Sequence, residues 1–193
     1  CHIQGEMFKA TDSLGGLEVQ LVFFRGFGEC KSSAWVDSSD ALVRSMTAVR
    51  CLGGRTQIGK ILKHTMRETK KRKVNALVFV GDSVEEDVDE LCHTAGELGV
   101  LGVPMFVFHE GSDLIAMRAF RQFARLTNGA YCGFDAASAD QLRELLAAVA
   151  VYAEKTVGRL GRDHSVHRDL SAAVGGVLES DRHAEAARHL TVR

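Results

Sequence analysis

The residues in this chain best placed to do chemistry are a threonine and an aspartate twenty-six positions apart, Thr56 and Asp82. Asp82 follows Asn75-Ala76-Leu77-Val78-Phe79-Val80-Gly81 and precedes Ser83. The apolar run Ala76–Val80 is too short for a helix and too apolar for a half-exposed strand, so it reads as a parallel strand buried on both faces. A carboxylate at its carboxyl end stands where open α/β sheets form their ligand crevices. Thr56 closes the glycine-marked loop Leu52-Gly53-Gly54-Arg55-Thr56, just ahead of a helical pattern. Each residue also has a structural role open to it. Threonine is a common helix N-cap, and an aspartate after a strand commonly bonds to its own loop.

Other candidates are weaker. Gly54 to Lys60 spells G-x-x-x-x-G-K, the opening of a phosphate-binding loop, but Ile61 stands where a magnesium-binding hydroxyl belongs. No strand precedes that loop, and no G-x-G-x-x-G follows a strand, so nucleotide binding lacks its signatures. His109 and Cys132 both fall near strand ends and are the one nucleophile–base pair to consider, without a visible third orienting residue. His164 and His167 have a spacing that suits a shared metal only weakly.

Two acidic and basic clusters have plain explanations. Ser83-Val84-Glu85-Glu86 matches a capping box, with Ser83 as N-cap and Glu86 three residues on, which would put Glu85, Glu86 and Asp87 in a first helical turn. Lys70-Lys71-Arg72-Lys73 ends a helical pattern, where cations complement the macrodipole.

The elements that must position these residues follow from periodicity. Strands are expected at 17–24, 75–80, 103–108 and 130–134, with a short edge strand at 33–36. Helices are expected over 1–13, from Ser39-Asp40 to about Val49, from Ile58 to the basic run, from Ser83 to Leu98, over 116–127 and over 142–153. Strands alternating with helices imply parallel pairing and right-handed crossovers. The fold class is therefore α/β, a doubly wound, mostly parallel sheet with helices on both faces. Beyond residue 154 the pattern weakens into a polar segment, 155–193, expected to be a helical or flexible tail.

The chain has 193 residues, 46% of them hydrophobic and 25% charged, with a formal net charge of -1. Such a balance suits one soluble domain and gives no electrostatic footprint for nucleic acid or for a membrane surface. Five cysteines, Cys1, Cys30, Cys51, Cys92 and Cys132, are odd in number and form no Cys-x-x-Cys pair. Reduced thiols in a cytoplasmic protein are the expectation.

In order and spacing, several segments resemble the von Willebrand factor type A domain family. Leu52-Gly53-Gly54-Arg55-Thr56 is similar to the family's second metal-site segment, with Thr56 as its threonine. Leu77-Val78-Phe79-Val80-Gly81-Asp82-Ser83 resembles the third, an apolar strand ending in Asp82. Gly102 to Phe108 and Phe123 to Tyr131 are similar to the family's next strand and its late helix–glycine–strand segment. The resemblance covers roughly residues 1–154. It implies a module that grips a protein partner through a divalent cation, magnesium or manganese, held by Thr56 and Asp82, with a partner's acidic side chain filling the open position. Two alternatives use the same crevice: a small α/β hydrolase or nucleotide-dependent enzyme with Asp82 as acid, base or ligand, and a metal-free scaffold.

The chain departs from the family pattern in two places. Gly81 precedes Asp82 and Ser83 follows it, where the family has Asp-Gly. The first metal segment, Asp-x-Ser-x-Ser at the end of a central strand, is not in the sequence, and the helical start at Cys1 suggests an N-terminally truncated domain. On that expectation the strands at 17–24 and 75–80 flank a vacant central place, standing about two ladder steps of 4.8 Å apart.

Overall fold

The computed structural model describes residues 18–50, 53–134 and 188–192. Within them six strands form one sheet: β1 (Val19–Arg25), β2 (Glu29–Val36), β3 (Ala76–Gly81), β4 (Met105–Glu110), β5 (Tyr131–Phe134) and β6 (Arg188–Val192). Four helices accompany them: α1 (Ser39–Thr47), α2 (Ile58–Lys71), α3 (Val88–Val100) and α4 (Leu114–Leu126). The expected helices at 1–13 and 142–153, and His164 and His167, lie outside the described residues.

The strand order is β2-β1-β6-β3-β4-β5. β3, β4 and β5 pair in parallel, as crossovers through α3 and α4 require. β6 runs antiparallel to both β1 and β3, so β1 shares their direction, and β2 returns from it antiparallel. Four strands thus deliver their carboxyl ends to one edge. This is a mixed α/β sheet of the Rossmann-like class.

β3 and β4 are buried at every position, which is why their sequences are continuous apolar runs instead of alternating ones. On one face Leu77, Phe79, Met105 and Val107 pack under Ile58, Ile61 and Leu62 of α2, Leu91, Ala95 and Leu98 of α3, and Phe120 and Phe123 of α4. Phe79 and Phe120 meet with ring centroids 5.3 Å apart, tilted by 59°. Leu42 and Met46 of α1 are buried outside that cluster, against β1 and β2. Phe106, Phe108 and Val78 on the opposite face of the central strands are buried as deeply.

The structure corrects several expectations. The polar stretch after β1 is a tight turn and an eight-residue strand, β2, not an edge strand of four residues. One register shift opposite Leu21 accommodates an extra β2 residue there, and Ser33 covers it by accepting from the Leu21 amide at 3.1 Å. The central place between β1 and β3 exists, as expected, but it is filled: residues 188–192, assigned to a polar tail, form the strand there. Two strands with adjoining buried backbone demand a partner for their N–H and C=O groups, and this segment supplies it. The capping box at Ser83 does not form. α3 begins at Val88, and Asp87 is its N-cap, accepting from the Glu90 amide at 2.9 Å.

Candidate functional site

At the carboxyl edge, two loops that are distant in sequence are bolted together. The loop 53–57 enters α2, whose N-cap position is Gln57, with no side-chain cap bond of its own. A helix start leaves backbone N–H groups without partners. Here the loop after β3 supplies them. Glu86 accepts from the amides of Ile58 and of Gly59, the latter at 3.0 Å. Glu85 accepts from the Thr56 amide at 2.9 Å, and its own amide donates to the Thr56 hydroxyl at 3.0 Å. Of the acidic residues expected in the first turn of α3, Glu86 is therefore the anionic cap of α2, where the positive end of the helix favours negative charge, and Glu85 ties down Thr56 just before its N-cap.

This arrangement also disposes of the phosphate-loop motif. The amides of Thr56, Ile58 and Gly59, which would cradle a phosphate, are taken by the chain's own carboxylates. Lys60, the lysine of that motif, donates to the Gly28 carbonyl and to Gln57 Oε1, both at 2.8 Å.

Gln57 and Lys60 hold the turn between β1 and β2 against the same loop. The Arg55 amide donates to the Gly26 carbonyl at 3.1 Å, and Gln57 Nε2 donates toward the carbonyls of Arg25, Gly26 and Glu29 at 3.4–3.5 Å. Beyond the turn, Glu29 pairs with Arg25 and Lys31, which together bring its carboxyl down to about 2. Phe27 projects from the turn, 86% exposed.

Thr56 is buried and is not the N-cap of α2; its hydroxyl faces the β3–α3 loop instead. Asp82 is half-buried at the end of β3, three residues before the Glu85 that holds Thr56. Its carboxylate accepts from the Ser83 hydroxyl at 3.2 Å. Thr56 and Asp82 thus belong to two loops joined at one end of the sheet, with no direct bond between the two side chains among the described residues. Ser83, released from the capping role expected of it, adds a second hydroxyl beside the carboxylate.

On the far side of Asp82 lies His109, at the end of β4 and 1% exposed. Its Nε2 donates to the Asp82 carbonyl at 3.3 Å, since a carbonyl can only accept, and this leaves Nδ1 to accept from the Tyr131 hydroxyl at 2.9 Å. Phe120 meets the imidazole edge-on at 5.2 Å, and the Arg121 guanidinium lies 5.1 Å from the Tyr131 ring centroid. Burial, as the leading cause, holds the His109 pKa below its ordinary value, against the Asp82 carbonyl bond and the charges of Asp113 and Asp82. Both ring nitrogens are engaged, so the imidazole has no lone pair to offer a nucleophile.

The expected pairing of His109 with Cys132 does not occur. Cys132 is fully buried, donates to the Gly133 carbonyl at 3.3 Å, and has its thiol pushed up to about 12 by burial. A thiol held so far from ionisation is a packing group.

As ligands, Thr56, Asp82 and Ser83 offer two hydroxyls and a carboxylate. Hard oxygen donors of this kind fit magnesium or manganese, which keep several waters and need few protein ligands. No cluster of three or more His, Cys, Asp or Glu residues able to hold a metal occurs among the described residues, so a thiolate or imidazole cage is not built there. No helix among the described residues is long and apolar enough to cross a membrane.

No protein family, no curated protein and no solved structure matches this chain.

Proposed function

We propose that this chain is a von Willebrand A-like binding module that grips a protein partner through a divalent cation, magnesium or manganese, at the carboxyl edge of its sheet. Thr56 and Asp82 are the protein ligands on this reading, and a partner's acidic side chain completes the coordination. One observation carries it: the reciprocal bonds between Thr56 and Glu85 join the threonine loop to the loop that begins at Asp82. Holding the threonine loop against the loop that follows Asp82 supports a two-segment oxygen site. When bound, the cation supplies a positive centre that an anionic group can reach from solvent; the chain's residues hold and orient it. On this reading the module is cytoplasmic, which the free thiols at Cys30, Cys92 and Cys132 support.

Two side-chain ligands offset little of a hydrated dication's desolvation, so affinity should be weak, with a dissociation constant on the order of a millimolar. The test is manganese titration followed by paramagnetic broadening of the amide resonances. Broadening centred on Thr56 and on residues 82–85, and lost in Asp82→Ala, is the expected result. Broadening spread over Asp87, Asp89 and Glu90, or unchanged in Asp82→Ala, would overturn the reading.

A further inference from the structure

Glu85 touches Thr56 twice, and each contact has a separate chemical consequence. The carboxylate takes the Thr56 amide at 2.9 Å, which fixes the backbone of the threonine loop. The Glu85 amide donates to the Thr56 hydroxyl at 3.0 Å. A hydroxyl has two acceptor lone pairs and one proton. With one lone pair committed to Glu85, one remains for a cation, and the hydroxyl no longer rotates freely. Glu86, the next residue, grips the same helix end at Ile58 and Gly59 and makes no hydrogen bond to Thr56. Two adjacent carboxylates therefore do different jobs.

We propose that the Glu85 carboxylate is a positioning group for the cation site: by fixing the Thr56 backbone it keeps the Thr56 hydroxyl on the Glu85 amide, in a single preorganised place beside the Asp82 loop, while Glu86 serves only the stability of α2. This rests on the metal-site reading above and extends it to a residue that makes no contact with the cation. Preorganisation matters most where protein ligands are few. With so small a ligand set, a freely rotating threonine is a large part of what binding would have to order.

The experiment compares Glu85→Ala, Glu85→Gln and Glu86→Ala by two readouts. The first is metal-free hydrogen exchange of the amides at 56–59. Glu85→Ala should speed exchange at Thr56, and Glu86→Ala at Ile58 and Gly59, each about tenfold, the effect of losing a charge-assisted bond. The second is manganese affinity from relaxation titration. Glu85→Ala should weaken it about tenfold, whereas Glu86→Ala leaves it within about twofold. Glu85→Gln keeps an acceptor oxygen for the Thr56 amide and should recover most of the loss. Equal weakening by Glu85→Ala and Glu86→Ala would reduce Glu85 to a structural cap and overturn the proposal, as would unchanged affinity in Glu85→Ala. Failure of the underlying reading shows separately: manganese affinity is then indifferent to Asp82→Ala, while the exchange results still report whether the Glu85 contact forms.

Discussion

Gly54 lies so close to Gly26 that a methyl group on its Cα would stand 2.0 Å from the Gly26 carbonyl oxygen. The neighbouring Gly53 has open space where its own methyl would go. The two glycines of one loop therefore have different reasons to be glycine, and substitution should separate them. Gly54→Ala must push the β1–β2 turn off the threonine loop, and is expected to lower stability by about 1–3 kcal/mol in urea denaturation. Gly53→Ala should stay within about 0.5 kcal/mol of wild type. Similar values for both would mean that the turn is not docked as described.

Thiol chemistry checks the interior of the sheet. With its thiol pushed up to about 12 and no solvent contact, Cys132 should resist a disulfide reagent at pH 8 in the native protein. Cys30 and Cys92 are partly exposed and should react, slowly, since burial raises both thiols above their ordinary value. Peptide mapping after labelling gives the order. Rapid native labelling of Cys132 would contradict its burial beside Phe108 of β4, on the face of the sheet away from α4.

His109 and His64 give the fold a pH dependence of definite sign. Burial lowers both pKa values in the folded chain relative to the unfolded one, near 6.5. The unfolded chain therefore binds protons first as pH falls, and stability drains away below about pH 6.5 down to the depressed folded values. Thermal melts between pH 7.5 and 5 should show this fall, and His109→Gln should flatten it. His64→Gln should flatten it too, since burial is the leading cause of that ring's lowered pKa as well. A wild-type melt that rises on acidification over this range would refute the burial of both rings.

The central strand can be tested through its backbone. Leu190 pairs with Leu21 on one side and Val78 on the other. Leu190→Pro removes a donor inside the sheet and leaves an acceptor on a neighbouring strand unpaired, at about 1–3 kcal/mol before any clash of the ring. The variant should be markedly less stable. An unchanged urea midpoint would show that residues 188–192 do not fill the place between β1 and β3.

Legibility from sequence tracked how local each element's cause is. β3 and β4 were readable because burial on both faces writes itself as an unbroken apolar run, and α4 because Phe120 and Phe123 recur at helical spacing. The Ser83-x-x-Glu86 pattern misled because its partner is not local. The unpartnered amides at the start of α2, where Gln57 makes no side-chain cap, compete for Glu86 and win. β2 hid behind polar residues because an edge strand has few positions to bury. β6 could not be read at all, since Arg188, His189 and Thr191 give no apolar signal, and the strand exists by virtue of edges contributed from far away in the chain. At the site, Asp82 and Thr56 were visible as residue types at element ends; the Glu85 contact joining them was not.

The pairing of Val19 with Val192 has a consequence for how the molecule is made. Every residue from 19 to 192 must leave the ribosome before the sheet can close. Until then β1 with its hairpin, and β3 with β4 and β5, are two half-sheets, each with an apolar edge open to any passing strand. Closure across so great a loop is entropically late and slow compared with forming either half. Synthesis therefore carries a window of vulnerability to aggregation whose length is set by translation, not by the stability of the finished domain.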